Sequence, residues 1–164
     1  VSLSPAQHKL VTGLTLAVAL VAGDQFSKQV FMDLLLNPPR VIPLTGFFNL
    51  VPVWNKGVSF GMFSGHDGWG AWVLAVFALI VAAMLIRWLA QAERRLTVFA
   101  LGAVIGGAIG NVIDRVRFGA VFDFLDFYIG AWHWPAFNVA DIAIVIGVGG
   151  LVLDTLISGR RDAK

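Results

Sequence analysis

Cysteine is absent from the 164-residue chain, which excludes disulfides, thiol nucleophiles and zinc–thiolate centres before any motif is considered. Charge is scarce: Asp, Glu, Lys and Arg make up 13% of the residues against 58% that are hydrophobic. Histidine occurs only at His8, His66 and His133, with no i, i+4 pair of the kind that holds a metal on a helix. No polar linker, internal repeat or low-complexity tract divides the chain, so one domain over 1–164 is expected. The sequence pI is near 9.4, yet the net charge is only +2 and the basic residues are scattered. That pattern offers no basic stripe for nucleic acid.

What the chain has in abundance is long apolar runs, with a mean hydropathy of +0.81. A helix needs about 20 apolar residues to cross roughly 30 Å of hydrocarbon, and windows near 10–31, 69–90, 97–115 and 138–158 meet that need. The first is too long and too polar at its distal end for a cleaved signal peptide and lacks an A-x-A-like site, so it reads as a retained span. Lys9, Arg87, Arg94, Arg95, Arg160, Arg161 and Lys164 fall on one side. The other side has fewer, Lys28, Arg40, Lys56, Arg115 and Arg117, spread over longer segments. This asymmetry places both termini in the cytoplasm. Outside lie an Val/Phe/Trp-rich segment at about 40–63, with an Asn-Lys-Gly turn signal at 55–57, and an aromatic segment at about 121–131. The expected class is therefore an all-α membrane protein with four transmembrane helices, a small extracytoplasmic β-hairpin or sheet, and a short interfacial helix.

Charged side chains inside such spans cost free energy and need a reason. Asp24 and Lys28 come late in an outward-going span, Asn111, Asp114 and Arg115 late in another, and Asn138 and Asp141 early in an inward-going one. All then lie near the outer face, and three helices with polar groups at one depth suggest a shared site. Structural readings compete with that one. Asp24 and Lys28 at i, i+4 suit a simple ion pair, and Asn138-x-x-Asp141 after Pro135 suits a capping box. Gly102, Gly106 and Gly110 suit close helix packing.

Asp123 sits in VFDF, where aromatic neighbours desolvate a carboxylate and disfavour its charged form. A second carboxylate facing it would share one proton. Such a pair can hydrolyse a peptide bond: the ionised member takes a proton from the attacking water while the protonated member donates to the oxyanion and then the leaving amine. The scheme calls for no metal and no cofactor. Two alternatives stay open, a carboxylate-only divalent metal site of Asp114, Asp123 and Asp141, and a carrier using Asp24, Asp114 and Asp141 as relay groups.

The blocks DQFSK at 24–28, NKGVSFG at 55–61, GGAIGNVIDR at 106–115, VFDF at 121–124 and FNVAD at 137–141 together resemble the bacterial lipoprotein signal peptidases (signal peptidase II). The likeness spans residues 10–158. It implies a four-helix aspartyl endopeptidase of the bacterial cytoplasmic (inner) membrane. Its substrate would be a diacylglyceryl-modified prolipoprotein, cut just before the lipidated cysteine. The resemblance makes Asp123 and Asp141 the catalytic pair and has Asn111, Arg115 and Asn138 line and orient it. Asp24, Lys28, Asn55, Gly57 and Asp114 fall in the family's other motif positions. The outer hairpin corresponds to a substrate cradle and the piece near 121–131 to a mobile flap. A monomer embedded in membrane lipid is expected.

Overall fold

The computed structural model describes residues 4–57 and 69–162, and of residues 159–162 only the helical backbone. Readings that concern His66, the VSFG part of NKGVSFG, and the side chains of Arg160, Arg161 and Lys164 fall outside the described residues. Helix α1, Pro5–Leu36, starts with a capping box: the Ser4 hydroxyl accepts from the Gln7 amide at 3.3 Å and the Gln7 side chain accepts from the Ser4 amide at 2.7 Å. At 1.5 Å per residue α1 is about 48 Å long, longer than a hydrocarbon core of about 30 Å. Helices α2 (Trp69–Gln91), α3 (Arg95–Phe118) and α4 (Val139–Asp162) complete a set of four long enough and apolar enough to cross a membrane.

Helix α3 is the central pillar. It packs on α1, α2 and α4 and is buried along most of its length, whereas the others each present an apolar face outward. On α2 that face includes Trp72, Val76, Phe77, Ile80 and Met84, all more than half exposed. An apolar stripe of this extent fits lipid rather than water. Small residues make the α1–α3 approach possible: a Cβ at Gly102 would lie 2.6 Å from the Gly13 carbonyl oxygen, and one at Gly106 would lie 2.8 Å from that of Ala17. At the α3–α4 end nearest the termini, Asp154 is held by Arg94 (Nε to Oδ1, 3.1 Å) and by the Thr97 hydroxyl (2.8 Å).

Four antiparallel strands form one sheet in sequence order: β1 (Ile42–Thr45), β2 (Phe48–Asn55), β3 (Val121–Ile129) and β4 (Trp132–His133). The hairpin expected in the first outer segment is β1–β2. The Asn-Lys-Gly signal ends β2 rather than joining the two strands. Between Leu50 and Val53 the pairing with β3 shifts register, and Pro52, which has no N–H to give the ladder, sits inside that bulge.

The second outer segment corrects the sequence reading. Residues 121–129 form β3, paired with β2 on one side and β4 on the other, and not a short interfacial helix. Its Val, Phe, Tyr and Ile content favours a pleated strand, and Gly130, with φ +60°, supplies the left-handed turn that returns the chain into β4. Phe122 and Phe124 go into a core with Leu50 of β2 and Met32 and Leu35 of α1. The Phe31 and Phe124 rings stack at 4.3 Å. Full burial of each such side chain is worth about 1.5–3 kcal/mol, so this cluster fixes the sheet to the far end of α1.

Candidate active site

Four pieces of chain converge where the sheet meets the helix ends: the last turns of α1 and α3, the start of α4, and β3 flanked by β2. The start of α4 is delivered by the backbone. Phe137 exchanges hydrogen bonds with Leu125 of β3 at 2.9 and 3.0 Å, which sets Asn138 beside Asp123. The anticipated capping box then forms: the Asn138 side chain accepts from the Asp141 amide at 3.0 Å, and Asp141 Oδ2 accepts from the Asn138 amide at 3.1 Å. The structural and the functional readings of this motif are therefore compatible, because the same two side chains also reach the other polar groups.

Three asparagines hold the two carboxylates, and a partner of unambiguous polarity orients each amide. Asn55 accepts from the Gly57 N–H through Oδ1 at 2.8 Å, so its Nδ2 faces Asp123 and donates to Oδ2 at 2.9 Å. Gly57 has φ +78°, a left-handed conformation that suits glycine, and this turn brings it close to Arg115. Asn138 has its Oδ1 committed to the Asp141 amide, and its Nδ2 donates to Asp123 Oδ1 at 2.6 Å. Asn111 accepts from the Lys28 ammonium at 3.0 Å and therefore turns Nδ2 to Asp141 Oδ1, at 2.8 Å. Each oxygen of Asp123 and of Asp141 thus receives one N–H, and Asn138 touches both residues.

Asp123 is 1% exposed, while Asp141 is partly open. Burial is the largest influence on Asp123. It pushes the carboxyl up to about 6 from 3.8, opposed by the Asn55 hydrogen bond and reinforced by the negative charge of Asp141. Such a group keeps its proton well above the usual carboxylate range, next to a second carboxylate that faces more open space.

Beneath this pair lies a buried ion cluster. Lys28 is 2.9 Å from Asp24 and 2.9 Å from Asp114, and all three are 1% exposed. The i, i+4 pair of α1 is therefore a tie across three helices and does not lie at a solvated helix end. Its carboxylates also secure the chain beside the upper pair: Asp24 accepts from the Ala140 amide, one residue before Asp141, at 3.0 Å, and Asp114 accepts from the Phe122 amide, one residue before Asp123, at 3.1 Å. A Cβ on Gly110 would lie 2.6 Å from the Asp24 carboxylate, so this glycine leaves room for the cluster itself. Arg115 donates to the Asn111 carbonyl at 3.3 Å and lies within electrostatic reach of Asp141, Asp114 and Asp123. Its buried Nε finds no acceptor among the described residues.

Asp24, Lys28, Asn55, Asn111, Asp114, Arg115, Asp123, Asn138 and Asp141, the polar site candidates of the sequence, meet here. One that went unnoticed is Gln25, whose amide donates to Asp114 at 2.9 Å and to the Gly110 carbonyl at 3.2 Å and accepts from Arg117 at 3.2 Å. Its place in DQFSK beside Asp24 was the available signal. His133 lies apart, on β4, with Nδ1 2.9 Å from Asp126, which also accepts from Asn49 at 3.0 Å. Among the described residues no group of three or more His, Asp or Glu side chains is arranged to hold a metal ion. Asp114, one of the three suggested ligands, is committed to Lys28, Gln25 and the Phe122 amide.

Known proteins resemble this arrangement across nearly its whole length. The family model for signal peptidase (SPase) II matches residues 16–157. A lipoprotein signal peptidase of Methylobacterium sp. (strain 4-46) is 46% identical over 153 residues, 93% of each chain. That of Azoarcus sp. (strain BH72) is 43% identical over 161 residues, covering 98% of this chain and 91% of its own. A bacterial membrane enzyme solved in meso at 1.9 Å superposes with a TM-score of 0.75 at 26% identity, over 88% of this chain and 92% of its own. A second such structure, at 2.3 Å, gives 0.74. A fold of four membrane-length helices with a small antiparallel sheet, a pair of carboxylates held by asparagines, and relatives this similar over this length lead to one conclusion: the chain belongs to the signal peptidase II family of aspartic-type membrane peptidases.

Proposed function

We propose that the protein removes the signal peptide from diacylglyceryl-modified prolipoproteins, cutting before the lipidated cysteine, with Asp123 and Asp141 as a proton-sharing catalytic pair. The observation that carries this reading is the bridge made by Asn138, which bonds to Asp123 through its side chain and to Asp141 through its backbone. The elevated proton affinity of Asp123 makes it the acid. Asp141, more open, takes the proton of the water that attacks the scissile carbonyl; Asp123 donates to the developing oxyanion, and a proton passes on to the leaving amine. The apparent ionisations belong to the pair. Asn55, Asn111 and Asn138 hold the carboxylates, Lys28, Asp24 and Asp114 secure the chain beneath them, and Gly57 and Arg115 border the space where the peptide lies.

The chain acts as a single-domain monomer in the bacterial inner membrane, with both termini in the cytoplasm and the carboxylates near the outer face. The Lys and Arg asymmetry supports that orientation. So does the cup of Phe47, Ile129, Trp132 and Trp134 on the sheet, an aromatic surface suited to headgroup depth. A substrate whose acyl chains stay in lipid can then present its cut site to outside water.

The decisive test offers the purified protein a diacylglyceryl-modified preprotein and its unlipidated twin. Selective release of the signal peptide from the first is expected. Asp123→Asn and Asp141→Asn should each lose cleavage by about a hundredfold or more, within the range of general acid–base catalysis, while still folding, as a cooperative thermal transition shows. Near-normal turnover by either variant would overturn the pair. Flux across proteoliposomes without peptide cleavage would instead favour a carrier.

A further inference from the structure

At the end of the molecule opposite the carboxylates, a cavity of about 390 Å³ opens between the starts of α1 and α3, lined by His8, Lys9, Thr12, Arg95, Val98 and Phe99. A second, apolar cavity of about 310 Å³ continues from it along Leu16, Leu20, Phe99, Ala103 and Gly147. Phe99 borders both. The residues follow helical stripes, Pro5, Lys9, Thr12, Leu16 and Leu20 on α1 and Arg95, Phe99 and Ala103 on α3, so the two cavities adjoin at Phe99 and lie end to end along a groove between the helices.

We infer that this groove binds one anionic glycerophospholipid of the cytoplasmic leaflet, its phosphate at Lys9 and Arg95 and one acyl chain along Phe99 toward Leu20. Charge supports the headgroup end: the residues lining the mouth include Lys9, Arg95 and His8 and no acidic side chain. Lys9 gives one N–H to the Glu93 carbonyl at 2.6 Å and has two more to offer. The neighbouring Arg94 is engaged by Asp154, which leaves Arg95 to face the groove. Length supports the chain end. From Lys9 to Leu20 the helix rises about 17 Å, close to the depth of one leaflet of a core about 30 Å thick. The leaflet named rests on the proposed topology; the site itself does not.

Native mass spectrometry of the full chain in detergent, titrated with dioleoylphosphatidylglycerol, dioleoylphosphatidylcholine or inorganic phosphate, tests the assignment. One retained phosphatidylglycerol per chain is expected, in clear preference to phosphatidylcholine. The double variant Lys9→Gln/Arg95→Gln should weaken that adduct about 25-fold, about fivefold for each basic group. Phe99→Asp, at a half-exposed position, should release lipid while the chain stays folded by its thermal transition. Equal binding of the two lipids with no effect of the double variant would overturn the inference. So would inorganic phosphate displacing phosphatidylglycerol at equal concentration. Cleavage by Lys9→Gln/Arg95→Gln in detergent should match that of the parent chain. A parent chain that binds the lipid and cleaves nothing would count against the peptidase reading and leave this site standing.

Discussion

Helices α3 and α4 are fastened at both ends by aspartate, and the two fastenings are built differently. At the end near the termini one carboxylate, Asp154, meets one guanidinium, Arg94, which is 36% exposed, and one hydroxyl, Thr97. At the other end, among the described residues, four carboxylates, Asp24, Asp114, Asp123 and Asp141, gather around two cations, Lys28 and Arg115. The first is balanced and serves attachment. The second is short of positive charge, so neutral amides do the holding and burial lifts the Asp123 carboxyl to about 6. That imbalance is a structural reason to locate acid–base chemistry at one end and not the other.

The comparison can be broken most forcefully at Lys28. Lys28→Met leaves Asp24 and Asp114 buried without their shared cation and should cost about 3–5 kcal/mol, read as a lowered thermal transition in detergent. A loss under 1 kcal/mol would mean the cluster is not the fastening described.

Next comes the pH dependence of stability. Because the folded carboxyl of Asp123 ionises near 6 rather than 3.8, its contribution is fully present below about 3.8 and is lost as pH rises through about 6. The difference amounts to at most about 3 kcal/mol. Asp123→Asn should flatten that part of the stability profile and raise stability at pH 8 relative to the parent; an unchanged slope would contradict the burial argument.

A smaller effect is expected from Asn55→Ala. Removing a donor to Asp123 raises its proton affinity further, so the alkaline limb of kcat/KM should move to higher pH while the maximum falls about tenfold, the loss of one hydrogen bond to a charged group. Smallest of all, Arg94→Met should lower stability by about 1 kcal/mol or less, because its ion pair is partly exposed.

Much of this was legible because a membrane makes polar residues conspicuous. Asp24, Lys28, Asn111, Asp114 and Asp141 stand out in apolar runs, and running each helix in its expected direction brought them to one level. The capping box at Asn138 was legible too, since N-x-x-D after proline is a local signal. β3 was misread because VFDFLDFYI carries aromatics at four of its nine positions, a pattern that suits headgroup depth as well as a strand. The deciding fact is an available neighbour, β2, some seventy residues earlier in the chain. Gln25 was passed over because its partners, Asp114 and Gly110, lie on another helix. The order of packing, with α3 in the middle, depends on which glycines meet which carbonyls and has no one-dimensional signature.

The use of asparagine to grip both acids has a further consequence. Amide side chains do not titrate, so the grip is electrically silent: acidifying or alkalising the medium alters the charge of the carboxylates without dismantling the frame around them. Inactivation at either extreme of mild pH should therefore reverse on neutralisation, as a loss of ionisation state and not of architecture.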